Sequence, residues 1–232
     1  MRHSPSSAAR GFTLVELLAV IGIIAVMATV IGVSLGGGNA SASLGSSQRI
    51  AAGVFQSARS IAVLKQTQTK VVVYESGDTG IDPGKYLRFL QVIYKTTDSS
   101  GADVWVAANA GTYLPQGVYY VPRTGGFDSS VLTIASETAT GGAMTSDNVT
   151  FRPVEGSTVS VRVTGYVYEF DSNGLSNNNG DTVVFAAGTV SGYDGTTGAP
   201  RLTFDNQYAV TGFYIRKTGS VILADFDDLN NI

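Results

Sequence analysis

Hydrophobic and polar positions divide this chain into three regimes. From Leu17 through Val33 the sequence LLAVIGIIAVMATVIGV is apolar except for Thr29, and no charged residue lies between Glu16 and Arg49. Taken from Phe12 to Leu35 and folded as a helix, the run extends about 36 Å at roughly 1.5 Å per residue, enough to cross a bilayer core of about 30 Å. Residues 36–47, GGGNASASLGSS, interrupt it. Each Gly there lowers helix propensity by about 1 kcal/mol relative to Ala, which predicts a hinge. From Gln48 a helical period resumes: Ile50, Val54, Ile61 and Leu64 share one face, with Phe55 and Ala58 beside them. This predicts an amphipathic helix to Gln66 whose apolar face packs on a sheet.

Beyond Thr69 the period changes to two. Short β-branched and aromatic runs alternate with turn clusters, the signature of antiparallel sheet. The predicted strands are 69–75, 85–95, 102–107, 117–122, 131–134, 158–164, 166–171, 181–187, 202–204, 208–216 and 219–224. Loops such as GDTGIDPG, DSNGLSNNNGD and SGYDGTTGAP supply the Gly, Asn and Asp that turns require. Thr218-Gly219 separates the last two strands and predicts a closing hairpin. The fold class is therefore α+β, a long N-terminal hydrophobic helix packed on a C-terminal antiparallel β-sheet domain. Its regions are 1–11, 12–35, 36–66 and 67–232. Residues 96–165 show no pattern that assigns them further.

Composition narrows the functions. The 232 residues contain no Cys and one His, at position 3. Thiolate nucleophiles and disulfides are excluded, and so is Cys-ligated zinc. If residues 1–11 are removed, imidazole chemistry goes with them. Net charge is -3, with 15 Lys+Arg against 18 Asp+Glu and no basic block, so nucleic acid is not an expected partner. Paired carboxylates such as Asp227 and Asp228 are adjacent and diverge in an extended chain. No catalytic residue, cofactor-binding residue or metal ligand is assigned, and an enzyme is not expected. The Asp171-Ser172-Asn173-Gly174 run and the Asp225-Phe226-Asp227-Asp228 tail offer oxygens to calcium. Leu175 and an early Gly break the loop pattern, so solvated turns are expected. Tyr166 and Tyr168 fall on one face of a strand, and with Tyr119 and Tyr120 are expected to pack or to contact a partner.

The first eleven residues, MRHSPSSAARG, are polar and positively charged, the composition of a targeting leader. Its arginines favour a cytoplasmic N-terminus. Glu16 then stands near the cytoplasmic end of the apolar run. An acidic residue at the centre of a membrane helix costs about 2.5–3.5 kcal/mol and less toward the end, so such a carboxylate is usually paired. Cleavage between Gly11 and Phe12 would create an amine to pair with it, in the same chain or in a neighbour.

The segment Gly11-Phe12-Thr13-Leu14-Val15-Glu16, followed by Leu17-Leu18-Ala19-Val20-Ile21, resembles the class III leader of type IV pilins and type II secretion pseudopilins. The resemblance implies cleavage after Gly11 by a prepilin peptidase, N-methylation of Phe12 and an assembly role for Glu16. It implies as partners other pilin or pseudopilin subunits, an inner-membrane assembly platform and the lipid bilayer. The implied location is the bacterial inner membrane, single-pass, with the C-terminal domain in the periplasm and the protein assembled into a periplasmic filament. Removing Arg2 and Arg10 leaves 13 basic against 18 acidic residues, a mature charge of -5.

QRIAAGVFQSARSIAVLKQTQTKVVVY, the Tyr168–Gly174 stretch and Ile215-Arg216-Lys217-Thr218-Gly219-Ser220-Val221 resemble H-type (FimT-like) minor pseudopilins. A minor pseudopilin of a type II secretion system is accordingly expected. A minor pilin of a type IV pilus, serving adhesion, motility or DNA uptake, is the alternative. A conventionally secreted β-rich binding protein is a further reading, since Ala40-Ser41-Ala42 offers an A-x-A-like site. The apolar run is too long for that class of signal, and Glu16 serves no purpose in it.

Overall fold

The computed structural model describes residues 14–122, 146–178, 181–204, 206, 208–225 and 228–229; within 14–40, side chains are described only for Leu14, Leu17, Leu18, Val20 and Ile21. The chain forms two compact units, Met1–Asn39 and Ala40–Ile232. Helix α1 spans Leu14–Lys65. Residues 36–47, where the sequence predicts a hinge, are helical throughout, and Leu44 and Ser47 are buried, which holds the end of this stretch in helix despite its glycines.

In the second unit, α1 buries Leu44, Ser47, Ala51, Val54, Phe55, Ala58 and Ala62. These recur at three- and four-residue intervals, so they form one helical face. The face is rotated from the predicted one: Ile50 and Ile61 are only half-buried, and Leu64 is 82% exposed. The large aliphatics misled the sequence reading. Alanines at 51, 58 and 62 let the sheets approach the helix backbone, and Phe55 fills the space between them. Its ring lies 5.0 Å from Tyr168, 6.4 Å from Phe170 and 5.0 Å from Phe213, each edge-on. The helix ends in a Schellman closure. Gln66 takes a φ of 50°, its amide donates to Val63 O at 3.3 Å, and the Thr67 amide donates to Ala62 O at 3.0 Å.

The first sheet is antiparallel, in the order β3-β2-β1-β7-β6 with β4 also on β2. Its members are β1 (Thr69–Gly77), β2 (Phe89–Thr97), β3 (Asp103–Ala107), β4 (Thr112–Tyr113), β6 (Asp147–Phe151) and β7 (Val161–Phe170). Alternation gives it two apolar faces. Val71, Val73, Tyr166, Tyr168 and Phe170 join the core with α1, while Val72, Tyr74, Ile93, Val149, Phe151 and Val163 form a separate cluster. The sheet curls until its edges meet: Ala107 N donates to Arg152 O at 2.9 Å and Arg152 N to Trp105 O at 2.8 Å. That closure encloses the second cluster.

The second sheet runs β12-β11-β8-β5, from β5 (Val118–Val121), β8 (Thr182–Ala187), β11 (Val210–Ile215) and β12 (Val221–Ala224). Gln48 ties α1 to it, donating from Nε2 to Gly212 O at 2.7 Å and to Ala224 O at 2.8 Å. A two-stranded ribbon, β9 (Thr189–Tyr193) with β10 (Pro200–Thr203), stands apart from both sheets.

The strands predicted at 158–164 and 166–171 are one strand, β7. Gly165 does not break it but permits it, since a Cβ there would meet Val73 O at 2.3 Å. Residues 85–88 form a turn rather than the start of β2, with Phe89 N donating to Lys85 O at 3.0 Å. Strands β4, β6 and β9 went unpredicted because they are short or largely exposed. The strand predicted at 131–134 lies outside the described residues.

Candidate functional site

The sequence places the functional chemistry in the first unit. Leu14, Leu17, Leu18, Val20 and Ile21 are 76%, 58%, 62%, 48% and 56% exposed. Leu14, Leu17, Leu18 and Ile21 follow the i, i+3, i+4, i+7 spacing of one helical stripe. Covering an exposed side chain of this size gains about 1.5–3 kcal/mol, so a stripe of four is a strong drive toward an apolar partner. Gly11 and Phe12 lie outside the described residues, as does the side chain of Glu16. The predicted span 12–35 is therefore described for its backbone from Leu14 and for those five side chains. Among the described residues, no helix is long and apolar enough to cross a membrane.

The two candidate oxygen clusters fold as turns. Asp171 Oδ1 accepts from Asn173 N at 2.9 Å and from Leu175 N at 2.8 Å, while Gly174 takes a φ of 75°. The carboxylate organises the loop after β7. At the other candidate, Asp225 Oδ1 accepts from Asp228 N at 3.1 Å and Asp228 Oδ2 from Asp225 N at 3.3 Å. This reciprocal cap seats Leu229 in the core. Among the described residues no group of three potential ligands from His, Cys, Asp and Glu is drawn together.

The predicted tyrosines go to the core rather than the surface. Tyr120 and Tyr168 share a hydroxyl–hydroxyl hydrogen bond of 2.8 Å, and the Tyr120 ring lies 5.2 Å from Tyr166. Tyr119 is also buried, with the Arg88 guanidinium 5.8 Å from its ring.

A polar groove of about 390 Å³ lies where the first sheet closes, bordered by Thr96, Asp98, Val106, Arg152, Glu155 and Thr158 among others. The Ser100 hydroxyl, the Ala102 and Ser100 amides and the Arg152 guanidinium hold the Asp98 carboxyl well below the usual carboxylate range. Arg152 Nη2 donates to Asp98 Oδ2 at 2.9 Å, so the pair braces the β3–β6 closure. Asp98 is thus held by Arg152 and by the turn at residues 100–102 together. Sequence reading missed this element because Asp98 and Arg152 are far apart in the chain and both fall within the unassigned residues 96–165.

A family model described as the prokaryotic N-terminal methylation motif matches residues 6–32. It identifies this stretch as a type IV pilin-like prepilin leader and the start of its helix, a structural class of precursor processed by a prepilin peptidase and assembled with other pilin subunits. Neither the curated proteins nor the solved structures contain a match to the chain.

Proposed function

We propose that the chain is a minor pseudopilin, a structural subunit of a type II secretion pseudopilus. The observation that carries this reading is the methylation motif at residues 6–32, with Gly11-Phe12 at a polar-to-apolar junction and Glu16 just inside the apolar run. In this reading a prepilin peptidase cleaves after Gly11, and the amine of Phe12 becomes the methylated terminus. The helix stores the subunit in the inner membrane with the β-rich domain in the periplasm. Glu16 of an incoming subunit meets the Phe12 amine of a neighbour. Two charges that are each expensive in hydrocarbon become a pair, and in a low-dielectric setting that attraction is far stronger than in water. The exposed stripe of Leu14, Leu17, Leu18 and Ile21 supports the reading, because lateral packing of such helices covers it.

Mass spectrometry of protein from cells tests the processing. A mature terminus at N-methyl Phe12 is the expected result, whereas a start at Ser43 makes the protein a conventionally secreted one. Glu16→Ala tests the pairing. The variant is cleaved normally, but its incorporation beside wild-type subunits drops by about tenfold or more, the factor for a loss of roughly 1.4 kcal/mol. Normal incorporation overturns the mechanism.

A further inference from the structure

The β11–β12 hairpin carries opposite charges at its two ends. At the tip, Arg216 and Lys217 are exposed, and the turn closes through Gly219, whose amide donates to Arg216 O at 2.8 Å. Arg59 of α1 crosses the same turn. A Cβ on Gly219 would meet Arg59 Cδ at 2.9 Å, and one on Gly174 would meet Arg59 Cγ at 3.1 Å. The Arg59 Nε is buried with no hydrogen-bond partner. None of these three cations forms an ion pair with a described residue. Lys70, Lys85, Lys95, Arg152 and Arg201 do, whereas Arg49, Lys65, Arg88 and Arg162 also have no such pair among the described residues.

At the root, Asp225 and Asp228 are exposed and pair with no cation of the described residues. Between the poles runs β12, an edge strand with Ile222 and Leu223 38% and 50% exposed. From Ser220 to Asp225 the strand spans about 16 Å at roughly 3.3 Å per residue. Ile222 and Leu223 point to opposite faces of the sheet, so the strand is basic at one end and acidic at the other with one exposed apolar side chain on each face between them.

We propose that this hairpin is a head-to-tail contact between copies of the chain, the basic tip of one copy meeting the acidic root of the next. The inference rests on the filament reading above and names a contact outside its N-terminal helix. The occupant follows from charge complementarity: a copy displaced along the hairpin brings Asp225 and Asp228 to the exposed Arg216 and Lys217. Such a contact uses two different patches. It therefore propagates rather than closing a two-fold dimer, as a filament requires.

The chain lacks Cys, so cross-linking is clean. The full-length chain carrying both Lys217→Cys and Asp225→Cys, assembled in cells and oxidised, gives a ladder of disulfide-linked multimers, and neither single variant gives more than dimers. Reversing the tip with Arg216→Glu and Lys217→Glu lowers incorporation about fivefold, the scale of two exposed ion pairs. If the double-cysteine chain is processed to Phe12 and recovered in filaments without a ladder, or the reversed tip is incorporated as well as the wild type, the contact is wrong. A mature terminus elsewhere removes the filament reading itself, and this inference with it.

Discussion

Residues 14–21 and 44–62 are both helical, yet they keep opposite company. In the first stretch large aliphatic side chains stand exposed, Leu14 at 76% and Leu18 at 62%. In the second, the fully covered positions are mostly small: Ala51, Ala58 and Ala62 are 0% exposed, with Phe55 as the one large wedge. The difference shows that residue size alone does not say which helix face is inside. A face that meets sheets of its own domain needs small residues for close approach, whereas an exposed face is under no such constraint and is free to be bulky. Leu64 is likewise left 82% exposed on the helix that buries its alanines.

The sharpest way to break that comparison is to truncate one residue in each stretch. Phe55 touches Tyr168, Phe170 and Phe213, rings from both sheets, so Phe55→Ala leaves a cavity where they meet the helix. Its expected cost is about 3–5 kcal/mol, read as a fall in the denaturation midpoint of the full chain in detergent. Leu17→Ala in the same assay shifts the midpoint by no more than about 0.5 kcal/mol. Equal losses at the two sites would mean that exposure at position 17 and burial at position 55 do not govern the stability of the chain.

Much of this was legible before any coordinates. The β-branched runs at 69–75 and 181–187 gave β1 and β8 to within two residues, because strands buried on both faces write a continuous apolar run. The methylation-motif stretch was legible because charge beside a long apolar run is rare, and the family model matches it at residues 6–32. What escaped was set by distant partners. Gly165 reads as a breaker until Val73 O is seen to occupy the space of its missing Cβ. The closure of the first sheet by Arg152 depends on a contact with Asp98, which no local period encodes. The face of α1 was misplaced for the same reason, since its rotation is dictated by two sheets that both lie later in the chain.

A smaller effect tests how the helix end is fixed. Gly174 and Gly219 have φ values of 75° and 74°, and a Cβ on Gly219 would sit 2.1 Å from Gly174 O. Gly219→Ala therefore combines a left-handed backbone with a backbone clash, and costs about 1–3 kcal/mol. Gly80→Ala is the control. That glycine also has a positive φ, 103°, but nothing lies within 4 Å of an added Cβ. Thermal unfolding separates the two, and a loss at position 219 no greater than at position 80 would remove the close approach as the cause.

The smallest expected effect is a pH dependence in the β9–β10 ribbon, which pairs with neither of the larger sheets. Asp194 Oδ1 accepts from Thr197 N at 2.8 Å, Thr196 N at 3.0 Å and the Thr197 hydroxyl at 3.0 Å. The Thr197 and Thr196 amides lead in lowering its pKa from 3.8 to about 2. Because the folded value lies below the unfolded one, the ionised carboxylate stabilises the loop fully above pH 3.8, and that contribution fades as pH falls through about 2. Asp194 is partly exposed, its side chain at 38%, so the effect is local and sensitive to salt. Amide exchange at Thr196 and Thr197 accelerates as the pH is lowered through this window, after correction for intrinsic exchange rates. Asp194→Asn abolishes that step while leaving the denaturation midpoint of the β domain at neutral pH within about 0.5 kcal/mol. An unchanged step in the variant would assign the titration to another carboxylate, and a large fall in midpoint would mean that the ribbon is integral to the core.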